Sequence, residues 1–216
     1  MAKMTKTTPT FNFENNFWEK GYLCVGMDEV GRGSFAGPVV TAGVIFTPFC
    51  KNLDTRINDS KKLSPKIRNE LTPHIKSSAL CYAISAVSVP IINRIGIGKA
   101  TNMAFRKTIE TISKKIENDK LFLLVDGFYL PYIRGIGRKK QLPIVKGDSL
   151  SISIAAASIL AKTYRDELMK KINLLYPQYR FSANKGYGTK QHRHAIKKYG
   201  LSKIHRKSFN LKKYEI

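Results

Sequence analysis

Residues 22–46 read YLCVGMDEVGRGSFAGPVVTAGVIF. Two β-prone runs flank a glycine-rich turn here, and their reading decides how the rest of the chain is arranged. Tyr22 to Met27 is a short apolar run that predicts a buried strand. Val39 to Phe46, rich in Val, Ile and Thr, predicts a second. Between them stand Gly31-Arg32-Gly33 and then Gly37-Pro38. Farther along, residues 121–125 (LFLLV) form a continuous apolar run, as expected of a central strand covered on both faces. Leu142 to Val145 predicts another short strand, and Ala79 to Val89 alternates like one. Helices are predicted between these strands. Ser64-Pro65 opens one, with Ser as cap and Pro at a position that needs no donor, running to about His74. Gly98 to Ile116 is the next, with Met103, Ala104 and Ile112 on its apolar side. Ser151 to Leu175 has a small, apolar first half suited to close packing on a sheet and an amphipathic second half. A last helix runs from about Thr189 to Tyr199 and closes at Gly200.

This order predicts an α/β fold with a mixed β-sheet flanked by helices and a helical C-terminal extension. Residues 1–20 read as a polar, loosely held lead-in, 21–175 as the main domain, and 176–216 as a basic helical extension packed on it. No internal repeat or second core is evident in the 216 residues.

Lys and Arg number 38 against 15 Asp and Glu, a formal net charge of +23. Charge of that size opposes compaction and points to a polyanionic partner, because basic groups that neutralise phosphates release condensed counterions. A Lys-rich composition with solvated lysines on every face is the plainer reading. Membranes are disfavoured: no basic helix carries Trp or Phe on its apolar face, and the apolar stretch Leu150 to Ala161 is too short to span a bilayer. The first residues lack the apolar core of a signal peptide. Cys24, Cys50 and Cys81 are odd in number and widely spaced, which fits neither a disulfide framework nor a zinc site. Reduced thiols, a cytoplasmic location and a monomer are expected.

Three apolar runs end in acidic residues beside glycine: GMDEVGRG, LLVDG and IVKGD. Asp28 and Glu29 follow the first, Asp126 the second and Asp148 the third. An Asp beside Gly after a strand is also an ordinary turn residue. Adjacent Asp28 and Glu29 are harder to place that way, because two carboxylates in apolar surroundings repel unless a cation is near. Converging carboxylates without His or Cys make a hard oxygen site, suited to Mg²⁺ or Mn²⁺ rather than Zn²⁺. In so basic a chain, such a site suits phosphodiester cleavage by two ions.

The segments GMDEVGRGSFAGPVV, NDSKKLSPKIR, LLVDG, VKGDSLSISIAAASILAKTYRDELM, NKGYGTKQHRHAIKKYG and HRKSF fall in order from about Tyr22 to Phe209. Together the set resembles the ribonuclease HII family. The resemblance implies a ribonuclease H-like fold and endonucleolytic cleavage of the RNA strand in RNA–DNA hybrids. It also implies incision at single ribonucleotides in duplex DNA and a catalytic, metal-binding set of Asp28, Glu29, Asp126 and Asp148. It places sensing of the ribose 2′-OH at Gly31, Arg32 and Gly33, and a stacking tyrosine at Tyr187. Many members have Pro where this chain has Ser34. Lys61, Lys62, Lys146 and Lys185 lie beside these segments as candidate phosphate contacts, with solvated lysines as the alternative. The lysine-rich C-terminal tail is a candidate contact for a sliding clamp.

Other readings stay open. The sister type, ribonuclease HIII, carries an additional N-terminal substrate-binding domain, whereas about 20 residues precede the first strand here. A non-enzymatic basic RNA-binding protein explains the charge but not the acidic strand ends. The glycines of the turn do not form a nucleotide-binding G-x-G-x-x-G or Walker pattern. His192, His194 and His205 are expected to face phosphate or solvent on a basic helix. Asp166 is expected to pair with Lys162 one helical turn away.

Overall fold

The structure is a computed structural model that describes residues 8–50, 53–209 and 211. Helix α1 (Asn12–Trp18) leads into strand β1 (Leu23–Val30) and β2 (Val39–Ile45). Helix α2 (Pro65–Ser78), strand β3 (Cys81–Val87) and helices α3 (Val89–Ile95) and α4 (Ile97–Ser113) follow. Then come β4 (Leu121–Asp126), β5 (Gln141–Ile144), the long α5 (Ile152–Leu175), and short α6 (Phe181–Asn184) and α7 (Lys190–Tyr199). The strands form one mixed sheet in the order β3-β2-β1-β4-β5. β1 and β2 pair antiparallel, as do β2 and β3, whereas β1 runs parallel to β4 and β4 to β5.

Helices cover both faces. The small apolar half of α5 lies on β1 and β2, with Ala155, Ala156, Ala157 and Ala161 fully buried. At Gly26 the approach is so close that a Cβ would stand 2.1 Å from the Ser153 carbonyl carbon. Any side chain there would push α5 off the sheet. The opposite face packs Val25, Met27, Leu123 and Val125 against Phe105, Ile109 and Ile112 of α4. Caps agree with the residues that suggested them. Ser64, Ser151 and Thr189 each accept a backbone N–H of the helix they precede. None of the helices among the described residues is long and apolar enough to cross a membrane.

Three expectations need correction. Strand β1 does not stop at Met27 but continues to Val30. It loses its β4 partner after the Met27–Val125 pair yet keeps β2 through Val30–Val40, so Asp28 and Glu29 sit inside the strand. The alternating segment after Ala79 ends at Val87, and Val89-Pro90 begin a separate helix, since Pro fits the first turn. The polar lead-in is not loosely held over residues 12–18. Glu14 is fully buried there, accepting Ser151 Oγ at 2.6 Å and Ser153 N at 2.9 Å. Its carboxylate thereby meets the unpaired N–H groups and positive end of α5. Phe17 stacks on Phe122 with ring centroids 3.7 Å apart.

Candidate active site

Side chains alternate across a strand, so Asp28 shares the α5 face with Gly26, while Glu29 shares the α4 face with Met27. Asp126 ends β4, one residue beyond the last β1–β4 pair, Met27–Val125, and is close enough to Asp28 to raise its pKa. Asp148 lies in the one-turn 3-10 helix Gly147–Ser149 that follows β5. This turn is tied to β4, because Gly147 N donates to Asp126 Oδ1 at 2.8 Å. Asp28 accepts its neighbour's backbone N–H at 2.7 Å and is helped by the Ser158 hydroxyl of α5.

All four carboxyls are pushed above the usual carboxylate range. Burial is the main cause for Asp28, opposed by Ser158 and reinforced by Glu29 and Asp126. Burial likewise raises Glu29, with Arg32 pulling it back and Asp126 adding to the rise. Asp126 is raised by burial and held partly down by the Gly147 N–H. Asp148 is raised to about 6 by burial and by Asp59 and Asp126. The group is therefore short of positive charge. Lys61 shows the same from the other side. Burial works against its charge, yet Asp148, Asp28, Asp59 and Asp126 push its ammonium above the usual lysine range. Its Nζ stands 3.7 Å from Asp148 Oδ2.

Asp59 escaped the sequence reading. It sits between Asn58 and the Lys pair, accepts Lys61 N at 2.9 Å and hydrogen-bonds Asp148. Lys62 Nζ donates to Ser149 Oγ at 3.0 Å. Asp59, Lys61, Lys62, Asp126, Lys146 and Asp148 line a cavity of about 660 Å³. Lys146 is exposed and left-handed, φ 57°. Lys185 stands apart from this cavity. Burial lowers its ammonium, which donates to the Ser182 carbonyl at 2.5 Å.

Among the described residues, no three Asp, Glu, His or Cys side chains stand close enough to hold a metal ion as they are. The donor chemistry nevertheless fits a hard divalent cation. The donors are carboxylate oxygens and they are partly dehydrated. Burial first, with neighbouring carboxylates second, holds their pKa values up, so a divalent cation would favour their charged forms.

The turn beside this cluster is built differently. Gly31 is buried at φ +87°, and a Cβ there would lie 2.1 Å from Arg165 Nε. Arg165, fully buried in α5, donates to the carbonyls of Pro38 (3.0 Å), Lys185 (2.9 Å) and Ala36 (3.1 Å). Arg206, also fully buried, donates twice to Gly37 O and once to Arg32 O at 2.9 Å. Two guanidiniums thus fix the carbonyls of Arg32, Ala36, Gly37 and Pro38, while Arg32 and Gly33 stay exposed. The Arg32 guanidinium stands 3.8 Å from Glu29 and lies over the Phe128 ring. The turn that carries Tyr187 is stitched to this one by Phe35 N donating to Gly186 O at 2.8 Å, and Arg165 lies 5.6 Å from the Tyr187 ring centre.

His192 and His205 do not face phosphate or solvent. Both are fully buried under this turn, with Nε2 atoms 3.0 Å apart. Ser202 N donates to His205 Nδ1 at 2.9 Å, so the His205 proton is on Nε2 and is donated to His192 Nε2. His192 Nδ1–H is then left for the Tyr187 carbonyl at 2.9 Å. Only His194 is exposed, as expected. Asp166 pairs with Lys162 at 2.7 Å, and also with buried Arg68 at 3.1 Å.

The sequence profile described as Ribonuclease HII matches residues 25–212. The chain belongs to the ribonuclease HII family. It is 45% identical over 210 residues to Ribonuclease HII of Lactobacillus helveticus, covering 97% of this chain and 79% of that one. It is 50% identical over 201 residues to Ribonuclease HII of Clostridioides difficile, covering 91% and 74%. Among solved structures, the ribonuclease H2 from Pyrococcus horikoshii OT3 matches with TM-score 0.68 at 22% identity, over 89% of this chain and 96% of that one. Bst-RNase HIII in complex with Mn²⁺ matches with TM-score 0.71 at 21% identity, over 89% and 68%. The structural likenesses show a ribonuclease H-like fold, and membership in the family makes the chain an endoribonuclease of the ribonuclease H type.

Proposed function

We propose that this chain cuts the RNA strand of RNA–DNA hybrids and nicks duplex DNA on the 5′ side of a single embedded ribonucleotide. Water adds to phosphorus, the bond to the upstream 3′ oxygen breaks, and the products end in 3′-OH and 5′-phosphate. The observation that carries this reading is the nearness of buried Asp28 in β1 to Asp126 at the end of β4, close enough for Asp126 to raise the Asp28 pKa, with Asp148 tied to Asp126 through Gly147 N. Two divalent ions held by Asp28, Glu29, Asp126 and Asp148, Mn²⁺ or Mg²⁺, would supply the charge that lowers the pKa of water and steadies the leaving oxygen. The neighbouring solved structure that contains Mn²⁺ supports that class of cofactor.

The chain's own groups account for selection. Gly31 seats the turn against Arg165, Gly33 offers exposed backbone without Cβ bulk, and Arg32 adds a guanidinium beside Glu29. Gly31, Arg32 and Gly33 together suit the place where a ribose 2′-OH is distinguished from hydrogen. Tyr187, half-open to solvent, lies against Arg165 and Lys162 and offers a ring for the neighbouring sugar or base. Lys61, Lys62 and Lys146 around the cavity suit phosphate, and Lys185 suits it less because its ammonium is already used. The enzyme acts as a cytoplasmic monomer. A neighbouring solved structure is a complex of PCNA with RNase HII from Archaeoglobus fulgidus, which supports a sliding-clamp contact, and the lysine-rich tail is the segment to which we assign it. Residues 210 and 212–216 of that tail lie outside the described residues.

The test is Asp126→Asn. Hybrid affinity stays within a few-fold while hydrolysis in Mg²⁺ or Mn²⁺ is lost. Turnover close to that of the unchanged protein would remove Asp126 from the metal site.

A further inference from the structure

The connection from β4 to β5 runs from Gly127 to Lys140 with only one 3-10 turn, Arg138–Lys140, at its end, yet its Phe128 to Arg138 stretch is not slack. Leu130, Ile133 and Ile136 are buried in the α4-side core. Buried Gln141 clasps Leu130 twice, accepting its N–H at 2.9 Å and donating to its carbonyl at 3.1 Å. Asn118 donates to the Arg134 carbonyl at 3.2 Å. What this anchored loop presents outward is aromatic and basic. Tyr132 is 88% exposed and held at φ 54°, a backbone region unfavourable for a bulky residue. Tyr129 is exposed, with the Arg138 guanidinium 5.1 Å over its ring. Exposed aromatic rings on a loop anchored in this way mark an interaction surface.

Between this loop and α4 lies a cavity of about 720 Å³, within the range of sites that take a small molecule or nucleotide. Arg32, Asn102, Phe128, Tyr129, Tyr132 and Arg138 line it, and no carboxylate does among the described residues. Arg32 is common to this cavity and the carboxylate site, lying between Glu29 and Phe128. The groove therefore begins where the proposed cleavage site ends.

We propose that this groove is a nucleotide subsite. It holds a nucleotide of the substrate beyond the cut, the base or sugar on Tyr129 and Tyr132 and the phosphate on Arg138. The inference rests on the nuclease reading above. Stacking on a ring is tolerant of sequence, so the groove adds affinity and leaves the choice of ribonucleotide to the glycine turn. The nucleotide comes either from the paired flank of the duplex or from an unpaired tail.

The experiment compares the full chain with its Tyr129→Ala, Tyr129→Phe and Arg138→Ala variants on a duplex with one ribonucleotide. Each flank is shortened independently, and a second series carries an unpaired thymidine tail on either side. On the long duplex, or on the tailed one, Tyr129→Ala and Arg138→Ala raise KM about tenfold with kcat within twofold, and Tyr129→Phe behaves as the parent. Shortening the flank that reaches the groove raises the parent's KM by a similar factor and erases the difference. A difference seen only with tails assigns the groove to unpaired nucleotides, and one seen with blunt duplex assigns it to the paired strand. Variants equal to the parent on every substrate would overturn the proposal. So would a loss that persists at all flank lengths, which marks a damaged fold. Failure of the parent to cut any substrate would instead sink the nuclease reading. Fluorescence anisotropy with the same oligonucleotides then still reads whether the groove binds them.

Discussion

The carboxylate cluster and the arginine-held turn are neighbours in space and opposites in electrostatics. In the cluster around β1 and β4, Asp28, Glu29, Asp126 and Asp148 are all pushed up, by burial first and by neighbouring carboxylates. Around the turn, burial presses cations down. Arg206 falls to about 9 and His205 to about 4, each through burial first. The second region has nonetheless satisfied its charges, because Arg165 and Arg206 spend their N–H groups on backbone carbonyls. One region holds its negative charge open; the other is a finished scaffold. On the proposed reading, chemistry and selection are built from separate materials, the first from charge left open and the second from charge already closed.

The largest break in the comparison is expected at Asp28. Asp28→Asn lowers kcat/KM on a hybrid by roughly 10³-fold while raising the melting temperature of the metal-free protein, because a repelled buried charge is removed. A loss under tenfold would show that the cluster is not the reaction centre. Next in size is Arg206→Met, which leaves the carbonyls of Gly37 and Arg32 without donors. Urea unfolding should register a loss of about 3–5 kcal/mol, and an unchanged midpoint would mean that the turn holds itself. Gly31→Ala forces a left-handed alanine against Arg165, at a cost of about 2–3 kcal/mol. Its sharper readout is the ratio of cutting at a ribonucleotide to cutting at the matched deoxynucleotide, which falls toward one.

The smallest effect separates the regions by the sign of their pH dependence. Asp148 holds its proton more tightly in the folded chain, so its contribution to stability is present below about pH 4 and is lost as pH rises through about 6. His205 holds its proton less tightly, so its contribution is present above about pH 6.5 and is lost as pH falls through about 4. Melting curves of Asp148→Asn in metal-free buffer should therefore gain most over the parent near pH 7 and little near pH 4. A uniform gain across that range would separate Asp148 from the buried, repelled set.

Much of this was open to inspection in the sequence because its signal is local. Strand periodicity, the Ser64 cap and the acidic residues beside glycine each occupy a few adjacent residues, and the segments that resemble the family overlay them. The scaffold was hidden for the opposite reason. Arg165 meets Pro38 and Arg206 meets Gly37 across more than a hundred residues, and basic side chains read as surface when their carbonyl partners are distant. One trace was available: Arg165 continues the series Ala157, Ala161, Arg165, Met169, spaced by one turn on the buried face of α5. Burial of His192 and His205 followed from the C-terminal segment folding back, with His205 bridged to Ala36, a contact that no local pattern encodes. Asp59 was overlooked because the lysines after it dominate its neighbourhood. The extension of β1 through Asp28 and Glu29 was missed because charged residues inside an apolar run imitate a strand end.

The central claim, that open carboxylates cut and a closed turn selects, is tested most directly on a DNA duplex with a single ribonucleotide, with and without EDTA. The account predicts a nick on the 5′ side of that ribonucleotide, with 3′-OH and 5′-phosphate ends. It also predicts no cutting of the matched all-DNA duplex and no cutting once EDTA is present. Equal cutting of both duplexes, or cutting that survives EDTA, would contradict it.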